Sequence, residues 1–299
     1  MSEPSVATRV RRMIDSGVVQ IITRVEPRLL GTGLFDLLFV RCRNQASVVA
    51  RRLAELPEAA FVVATSGSFG LIVELRCRDV PHLLATIESI RAVDAFEAVE
   101  SCLVLEPVKR DWTRVGDLTP CSKNEGVKQL WQRPEWLVID DIDRALILKL
   151  IEDGRASYAK LSVELQLSHA IVRKRVLRLL RYGVIIVQAY PTPEAAGVAD
   201  YMMIGMRVTG PAHPVAAAVA RIPQTTLVAS TVGRFDVVAE AWCRSGNEFL
   251  SVLDRIRTTR GVSSLESFTF LDVVKEDFSS GLAQLKQSPS FGRSAASTS

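Results

Sequence analysis

The chain repeats itself at a fixed spacing of 166 residues (183 − 17), and this internal repeat constrains the fold more than any other feature. Placing Gly17 on Gly183 aligns glycines, prolines and polar pairs along the whole repeat without a gap. Such a period indicates one structural unit used twice. The aligned positions include Pro27 and Pro193, Gly31 and Gly197, Pro57 and Pro223, Gly67 and Gly233, Phe69 and Phe235, Glu74 and Glu240, Cys77 and Cys243, and Glu100 and Glu266.

Each copy of the repeat alternates strand-like and helix-like segments. FDLLFVRC and DYMMIGMRV are rich in strand-forming residues, whereas ASVVARRLAELP and AHPVAAAVARIP place apolar residues at helical spacing. Turns around Gly67 and Gly233 join two strands of each copy into a hairpin. The order strand, helix, strand, strand, helix, strand is the ferredoxin-like arrangement. Because one face of each sheet stays apolar and uncovered, we expect the two copies to pair with each other or with another subunit.

The order of the segments predicts an α+β fold class. It comprises two ferredoxin-like βαββαβ domains and one three-helix winged or helix-turn-helix domain between them. The predicted boundaries are a remnant recognition-type helix at 1–16, a first connecting strand and effector domain at 17–111, a polar linker at 112–136, the helix-turn-helix domain at 137–183, a second connecting strand and effector domain at 184–278, and a disordered tail at 279–299.

A basic helix is predicted from Ser168 to Tyr182, at the end of the three-helix segment. Ser168 is a favourable N-cap, and Gly183 ends the helix. A cluster of charge of one sign suits phosphate contact, which releases counterions, so we predict a DNA-binding helix-turn-helix. The apolar stripe of this helix is Val172, Val176, Leu179 and Leu180, and its charged residues are Arg173, Lys174, Arg175, Arg178 and Arg181.

Together these features resemble the Lrp/AsnC (leucine-responsive) family of transcription regulators over nearly the whole chain. The resemblance rests on IDRALILKLIEDGRASYAKLS, on the basic helix followed by GVI, and on GRFDVVAE after the second hairpin turn. Members of that family carry a helix-turn-helix before one ferredoxin-like effector domain, whereas here the effector domain is duplicated. One position departs from the family pattern, because Gln166 stands where the turn usually has glycine.

The resemblance implies two sets of site residues. Those expected at the DNA major groove are Ser168, His169, Ala170, Arg173 and Lys174, and those expected at phosphates are Arg175 and Arg178. Those expected to hold a small effector are Thr231, Gly233, Arg234, Phe235 and Asp236. An amino acid would place its ammonium group on Asp236 and its carboxylate on backbone N–H groups near Gly233. The first copy has Gly70 in place of Asp236, so we expect its effector site to be lost or altered.

The N-terminal stretch SEPSVATRVRRMIDSGVVQ aligns with the basic helix at the same spacing, which places Ser2 on Ser168 and Arg12 on Arg178. It is a recognition-type helix without the two helices that should precede it. We expect it to read DNA poorly by itself, because an isolated short helix is marginally stable. Two explanations stay open: the first motif has decayed, or the true N-terminus lies upstream and completes a second helix-turn-helix.

Composition narrows the possible functions. Five cysteines without a CxxC pair and three histidines without ligand spacing predict neither a metal site nor a cofactor. No apolar run approaches the ~20 residues of a membrane span, so we expect a cytoplasmic protein without a membrane partner. The expected partners are double-stranded DNA, a small effector (most simply an amino acid), and further copies of the chain in a homodimer or higher homo-oligomer. We expect no enzymatic activity.

Two other functions stay open. Siroheme decarboxylases resemble this fold and act on a tetrapyrrole with histidine and arginine, but His82 and His213 lie at unmatched positions of the two copies. The other is an effector-sensing module that has lost DNA binding, to which the shortened first motif and Gln166 would point.

Overall fold

The computed structural model describes residues 3–25, 33–43, 45–92, 95–110, 137–192 and 195–277. The predicted linker at 112–136 and the predicted tail at 279–299 lie outside the described residues. The described chain forms two compact units, one of helices with a small sheet and one built on a β-barrel.

The helices and strands of the described residues follow one another along the whole chain. In order they are α1 (Glu3–Asp15), β1 (Val19–Val25), β2 (Leu34–Cys42), α2 (Ala46–Ala54), β3 (Ala59–Thr65), β4 (Leu71–Cys77), α3 (Val80–Arg91), β5 (Phe96–Arg110), α4 (Asp141–Glu152), α5 (Tyr158–Leu165), α6 (His169–Arg181), β6 (Ile185–Pro191), β7 (Asp200–Val208), α7 (Ala212–Val219), β8 (Thr225–Gly233), β9 (Val237–Cys243), α8 (Gly246–Arg257) and β10 (Val262–Glu276).

Eight strands close into one antiparallel barrel in the order β10-β3-β4-β2-β5-β8-β9-β7. Each copy contributes its four strands and two helices in the order βαββαβ, which confirms the predicted pair of ferredoxin-like domains. The halves join where β5 pairs with β8 and where β10 pairs with β3. The two junctions are equivalent in the repeat, because β10 corresponds to β5 and β8 corresponds to β3. The apolar face of each sheet is therefore covered by the sheet of the other copy.

Four buried phenylalanine rings of the barrel unit contact one another. Neighbouring rings among Phe39, Phe69, Phe235 and Phe268 have centroids 5.2–6.2 Å apart. Only Phe69 and Phe235 are equivalent in the repeat, because Phe39 corresponds to Gly205 and Phe268 corresponds to Cys102. A Cβ atom at Gly205 would lie 2.4 Å from the Phe235 ring. The packing of the barrel interior is therefore asymmetric, because the two copies contribute phenylalanines at mostly non-equivalent positions.

The helical unit contains α4, α5 and α6 packed around a shared core, together with α1 and a two-stranded sheet of β1 and β6. Strands β1 and β6, predicted from the sequence as connecting strands of the effector domains, both lie in this helical unit. Val25 of β1 is buried in the same core as Leu146 and Val176. A strand from the first copy thus helps to build the helix-turn-helix of the second.

The turn between α5 and α6 is closed by Gln166 in the left-handed conformation, with φ 53°. It is the one non-glycine residue with positive φ among those that the structure describes. A side chain in this region costs about 1–2 kcal/mol relative to glycine. The turn therefore keeps the helix-turn-helix geometry, and the departure noted in the sequence is accommodated as local strain.

Candidate nucleic-acid interface and effector site

Helix α6 has one buried face and one basic exposed face. Ser168 caps the helix, and its Oγ accepts a hydrogen bond of 3.3 Å from the Ile171 N–H. Val172, Val176 and Leu179 pack into the core of the helical unit, as the sequence pattern predicts. The exposed residues at the start and along the outer face of the helix are Ser168, His169, Ala170, Arg173 and Lys174.

Arg173 and Lys174 differ from their neighbours because neither has an ion-pair partner among the described residues. Uncompensated cations on one face of an exposed helix attract a polyanion, and phosphates satisfy them best. His169 lies at the start of the same face, with its ring 5.9 Å from the Tyr158 ring in an edge-to-face contact. The outer face of α6 thus carries two uncompensated cations and an imidazole, a surface suited to a polyanion.

Arg175 and Arg178 are held by carboxylates of the helical unit itself. The Arg175 Nη1 donates to Asp140 at 2.7 Å and to Asp143 at 3.0 Å, and the Arg178 Nη2 donates to Asp143. Asp143 is completely buried, and both aspartates also form the capping box of α4. The two arginines therefore anchor α6 to the start of α4, and the phosphate contact expected for them remains a prediction.

This ion-pair network also affects acidity. Partial burial alone would raise the pKa of Asp140, but hydrogen bonds from Arg175 and from the Asp143 N–H outweigh it and hold the pKa below its usual value. The same bond to Asp140 raises the pKa of Arg175. Both groups stay charged near neutral pH, so the anchor persists there.

Strand β1 positions the helix-turn-helix through a contact that the sequence analysis missed. The buried Thr23 hydroxyl donates a hydrogen bond of 2.5 Å to the Leu150 carbonyl, which lies in the last turn of α4. Such terminal carbonyls have no partner within their own helix. Gly154 allows the close approach, because a Cβ there would lie 2.9 Å from the Thr23 Oγ1. The repeat itself was the available signal, since β1 and β6 are equivalent strands that pair.

The five residues predicted to bind an effector lie together at the turn after β8, but they are not equally accessible. Thr231 and Phe235 are buried, and the Thr231 hydroxyl donates to the Phe235 carbonyl at 2.8 Å. Gly233 has φ 131°, and a Cβ there would lie 2.1 Å from the Ser101 carbonyl oxygen of β5. Gly233 is therefore required by the junction between the two halves of the barrel.

Arg234 bridges the two copies of the repeat. Its Nη1 donates to Glu100 at 2.8 Å and its Nη2 donates to Glu266 at 2.7 Å, and these glutamates are equivalent in the repeat. Its guanidinium carbon lies 4.6 Å from the centre of the Phe69 ring and 5.1 Å from that of Phe235, which are also equivalent. One side chain of the second copy thus contacts matching pairs from both halves.

Asp236 already has two hydrogen-bond donors. Its Oδ2 accepts from the Val208 N–H at 2.9 Å, and its Oδ1 accepts from the Arg207 Nη1 at 3.2 Å. Arg207 is half exposed, and its Nη1 also donates to the Gly233 carbonyl at 3.1 Å and to the Arg234 carbonyl at 3.2 Å. A ligand ammonium group at Asp236 would therefore have to replace the Arg207 guanidinium.

The buried cysteines among the described residues are unreactive thiols. Burial raises the pKa of the Cys77 and Cys102 thiols to about 11 and that of Cys243 to about 12, so these thiols stay protonated. The described residues contain no group of three metal-ligating side chains, and no helix among them is long and apolar enough to cross a membrane.

Comparison with known proteins identifies both parts of the chain. Residues 37–113 and 201–280 match the Lrp/AsnC ligand binding domain, and residues 139–180 match the AsnC-type helix-turn-helix domain. The chain belongs to the Lrp/AsnC family. The matched residues thus comprise two copies of the ligand binding domain and, between them, a helix-turn-helix domain.

Relatives with similar sequence are named as transcriptional regulators. The regulator LrpA of Mycobacterium tuberculosis is 33% identical over 129 residues, which cover 42% of this chain and 85% of LrpA. An HTH-type transcriptional regulator of Pyrococcus furiosus is 28% identical over 144 residues, which cover 47% of this chain and 96% of that protein.

Solved structures of a siroheme decarboxylase match nearly the whole length of this chain. The siroheme decarboxylase NirDL is 15% identical with a TM-score of 0.59, and the match covers 96% of this chain and 90% of NirDL. At that identity the likeness shows a shared fold.

Proposed function

We propose that this Lrp/AsnC chain is a sequence-specific DNA-binding transcriptional regulator that responds to a small effector, an amino acid being the best fit. The observation that carries the proposal is the exposed face of α6. Arg173 and Lys174 stand there without ion-pair partners while the opposite face is fixed in the core. His169 and the Ser168 cap complete the face at the end of the helix that enters a major groove in helix-turn-helix proteins.

Arg175 and Arg178 enter this proposal as residues that orient α6. Their pairing with Asp140 and Asp143 holds the helix at a defined angle to α4, and phosphate contact is left to the nitrogen atoms that still face solvent. Replacing Arg178 should weaken binding to all DNA sequences alike. Replacing Arg173 should relax sequence preference, because that side chain has no structural partner to lose.

The experiment is selection of bound fragments from genomic DNA with the purified chain, followed by affinity measurements on the selected site. Arg173→Ala is expected to lose about 1–3 kcal/mol of discrimination between the selected site and a scrambled one. Arg51→Ala on α2 is the matched control, because Arg51 is equally exposed but lies on the barrel. Equal, sequence-independent losses from Arg173→Ala and Arg178→Ala would refute the division of roles. Failure to enrich any fragment would favour a sensing module without DNA binding.

The effector site is proposed at the turn after β8. Asp236 would receive the ammonium group of an amino acid once Arg207 releases it together with the Gly233 and Arg234 carbonyls. The nearby backbone N–H groups of Arg234 and Phe235 already donate to the Ser101 carbonyl and to the Cys102 Sγ, so the ligand carboxylate would have to displace one of these bonds. A thermal-shift screen of amino acids tests this, because a ligand that binds the folded state raises the unfolding temperature. Asp236→Asn should abolish the shift, whereas Asp200→Asn, an acid at the start of the same domain, should leave it unchanged.

The proposed assembly uses the reading helix α6 of each chain. Two chains would provide the two reading helices of a two-fold operator, with half-sites separated by one helical turn or a multiple of it. Size measurement of the DNA complex checks this. A complex of one chain that reads both half-sites by base contacts would contradict it.

A tetrapyrrole enzyme is the second candidate, and the whole-chain fold shared with NirDL is the observation in its favour. Against it, His82 is paired with Glu58 at 3.0 Å and His213 with Glu106 at 2.9 Å. His169, the remaining histidine, lies in the helix-turn-helix unit. Titration of the purified chain with siroheme, followed by absorption spectroscopy, separates the two functions. A saturable spectral change followed by loss of substrate carboxylates would favour the enzyme.

A further inference from the structure

Helix α1 is a basic helix that the proposed reading mechanism does not use. Arg9, Arg11 and Arg12 are all exposed, and none has an ion-pair partner among the described residues. The helix contacts β1, which builds into the core of the helix-turn-helix. Three uncompensated charges are thus attached to the DNA-binding unit itself.

Residues at equivalent positions of α1 and α6 differ in their partners and in their chemistry. Arg9 and Arg12 correspond to Arg175 and Arg178, which are paired with Asp140 and Asp143. Arg9 and Arg12 have no such carboxylate partner among the described residues, so their charges are not compensated there. On α1 they are available to a ligand of opposite charge.

The positions of α1 that correspond to the predicted base-reading residues of α6 carry no basic side chain. Arg173 and Lys174 of α6 correspond to Ala7 and Thr8 of α1. An alanine and a threonine do not make the bidentate contacts to guanine that an arginine makes. Helix α1 therefore retains cations suited to phosphate while lacking the side chains that distinguish sequences.

The placement of α1 supports a role beside α6. Strands β1 and β6 are equivalent in the repeat and pair with each other. Each follows its helix through the same glycine turn, with φ 74° at Gly17 and 64° at Gly183. Because β1 and β6 are equivalent and paired, the helices that precede them, α1 and α6, are related elements of one unit. Two recognition helices related in this way contact DNA about one helical turn apart.

We infer that α1 is a second DNA contact, which binds the phosphates flanking the site read by α6 without reading their sequence. The inference rests on the proposed DNA binding. It adds that each chain contacts DNA at two places, one specific and one electrostatic. The binding partner is the sugar-phosphate backbone of a duplex longer than one half-site.

The test compares the salt dependence of binding to two duplexes. The short duplex covers only the site protected by α6, and the long duplex extends it by about 12 base pairs on each side, a little more than one turn. The variant Arg9→Gln, Arg11→Gln, Arg12→Gln removes the three charges of α1. On the long duplex its slope of log affinity against log salt should be shallower than wild type by up to about 2.7, since each lost phosphate contact contributes about 0.9. On the short duplex it should bind as wild type does.

The matched control is Arg51→Gln, Arg52→Gln, Arg260→Gln, which removes three exposed arginines of the barrel unit. It should leave both slopes unchanged. Both triple variants should unfold at the wild-type temperature, because none of the six arginines has a partner among the described residues. Preference for the selected site over a scrambled one should also stay at the wild-type ratio in the α1 variant.

Three outcomes would overturn the inference. In the first, the α1 variant and the barrel control have the same slope on the long duplex. In the second, the α1 variant weakens binding to the short duplex as much as to the long one. In the third, the double variant Val10→Ser, Met13→Ser weakens binding to the long duplex while the triple arginine variant of α1 does not. That result would make α1 a helix that docks on protein through its apolar side chains. If wild type shows no sequence preference on either duplex, the proposed function fails as well, and that result is distinct from all three.

Discussion

The two hairpin turns of the barrel began as the same structure and now differ in chemistry. Thr65 and Thr231 make the same bond, each hydroxyl donating to the carbonyl of the phenylalanine four residues later at 2.8 Å. Beyond that bond the first turn carries Ser68 where the second carries Arg234. Duplication within one chain allows such divergence, because a side chain that serves both halves is needed only once.

A similar comparison holds for the two recognition-type helices. Val176 and Leu179 of α6 are buried, whereas the equivalent Val10 and Met13 of α1 are 42% and 44% exposed. The same residue pattern therefore produces a fixed reading helix in one place and an open basic helix in the other. Val176 and Leu179 are buried because α4 and α5 pack against α6.

The largest expected effect separates the two turn glycines. Gly233→Ala should destabilise the fold by about 3 kcal/mol or more, because it combines a positive φ with a collision against the Ser101 carbonyl. Gly67→Ala should cost about 1–2 kcal/mol, since its φ is also positive but its nearest neighbour would be 3.5 Å away. Urea unfolding of both variants checks this. Equal losses would show that the two turns are still interchangeable.

The next effect tests the size complementarity of the barrel interior. Gly205→Ala should cost about 2 kcal/mol, because the new methyl group meets the Phe235 ring in a packed core. Adding Phe235→Leu in the same chain should recover part of that loss by making room. The coupling between the two changes, measured by a double-mutant cycle in urea, should be non-zero. If the two losses of stability simply add, the strain of Gly205→Ala does not arise from the contact with Phe235.

The third effect concerns the bridge between the copies. Arg234→Gln should cost about 1–2 kcal/mol, because two charge-assisted hydrogen bonds to Glu100 and Glu266 are lost together. Ser68→Ala, at the equivalent position, should cost less, since one hydroxyl bond to Glu266 is removed. Thermal unfolding of the two variants gives the comparison. A larger loss of stability for Ser68→Ala than for Arg234→Gln would contradict the role of Arg234 as the main link between the copies.

The smallest effect compares α6 with α1 through acid sensitivity. The pKa of Asp140 is lowered in the folded state, so its ion pair with Arg175 adds stability above the unfolded pKa of about 4 and loses it as pH falls below that value. Arg175→Gln should therefore flatten the decline of unfolding free energy below pH 4. Arg9→Gln on α1 should leave the decline unchanged, because Arg9 has no carboxylate partner among the described residues. Identical acid profiles for Arg175→Gln and wild type would contradict the role of the pair.

Much of the fold was predictable because its signals are local. The hairpin glycines, the Ser168 cap and the stripe of Val172, Val176 and Leu179 each follow from a few neighbouring residues, and the structure confirms them. The left-handed turn at Gln166 was visible as a departure from a family pattern. Replacing Gln166 with glycine is expected to relieve the strain that the turn now holds.

The candidate sites were only partly predictable. Thr231, Gly233, Arg234, Phe235 and Asp236 do lie at one turn, but the sequence could not show that Asp236 is already paired with Arg207. Nor could it show that Arg175 and Arg178 face Asp140 and Asp143. Those aspartates are more than thirty residues away along the chain, and only the packing of α6 on α4 brings them together.

The sequence by itself determined that this chain holds two copies of one ferredoxin-like unit with a helix-turn-helix between them, because periodicity, turn residues and helix caps act over short distances. Only the tertiary structure decided that the copies close into a single barrel, that Arg234 spans Glu100 and Glu266, and that β1 supports the helices of the other copy. Those features depend on which strand edges and side chains meet across more than a hundred residues. That choice is made by burial and shape complementarity in the folded chain, and no local pattern records it.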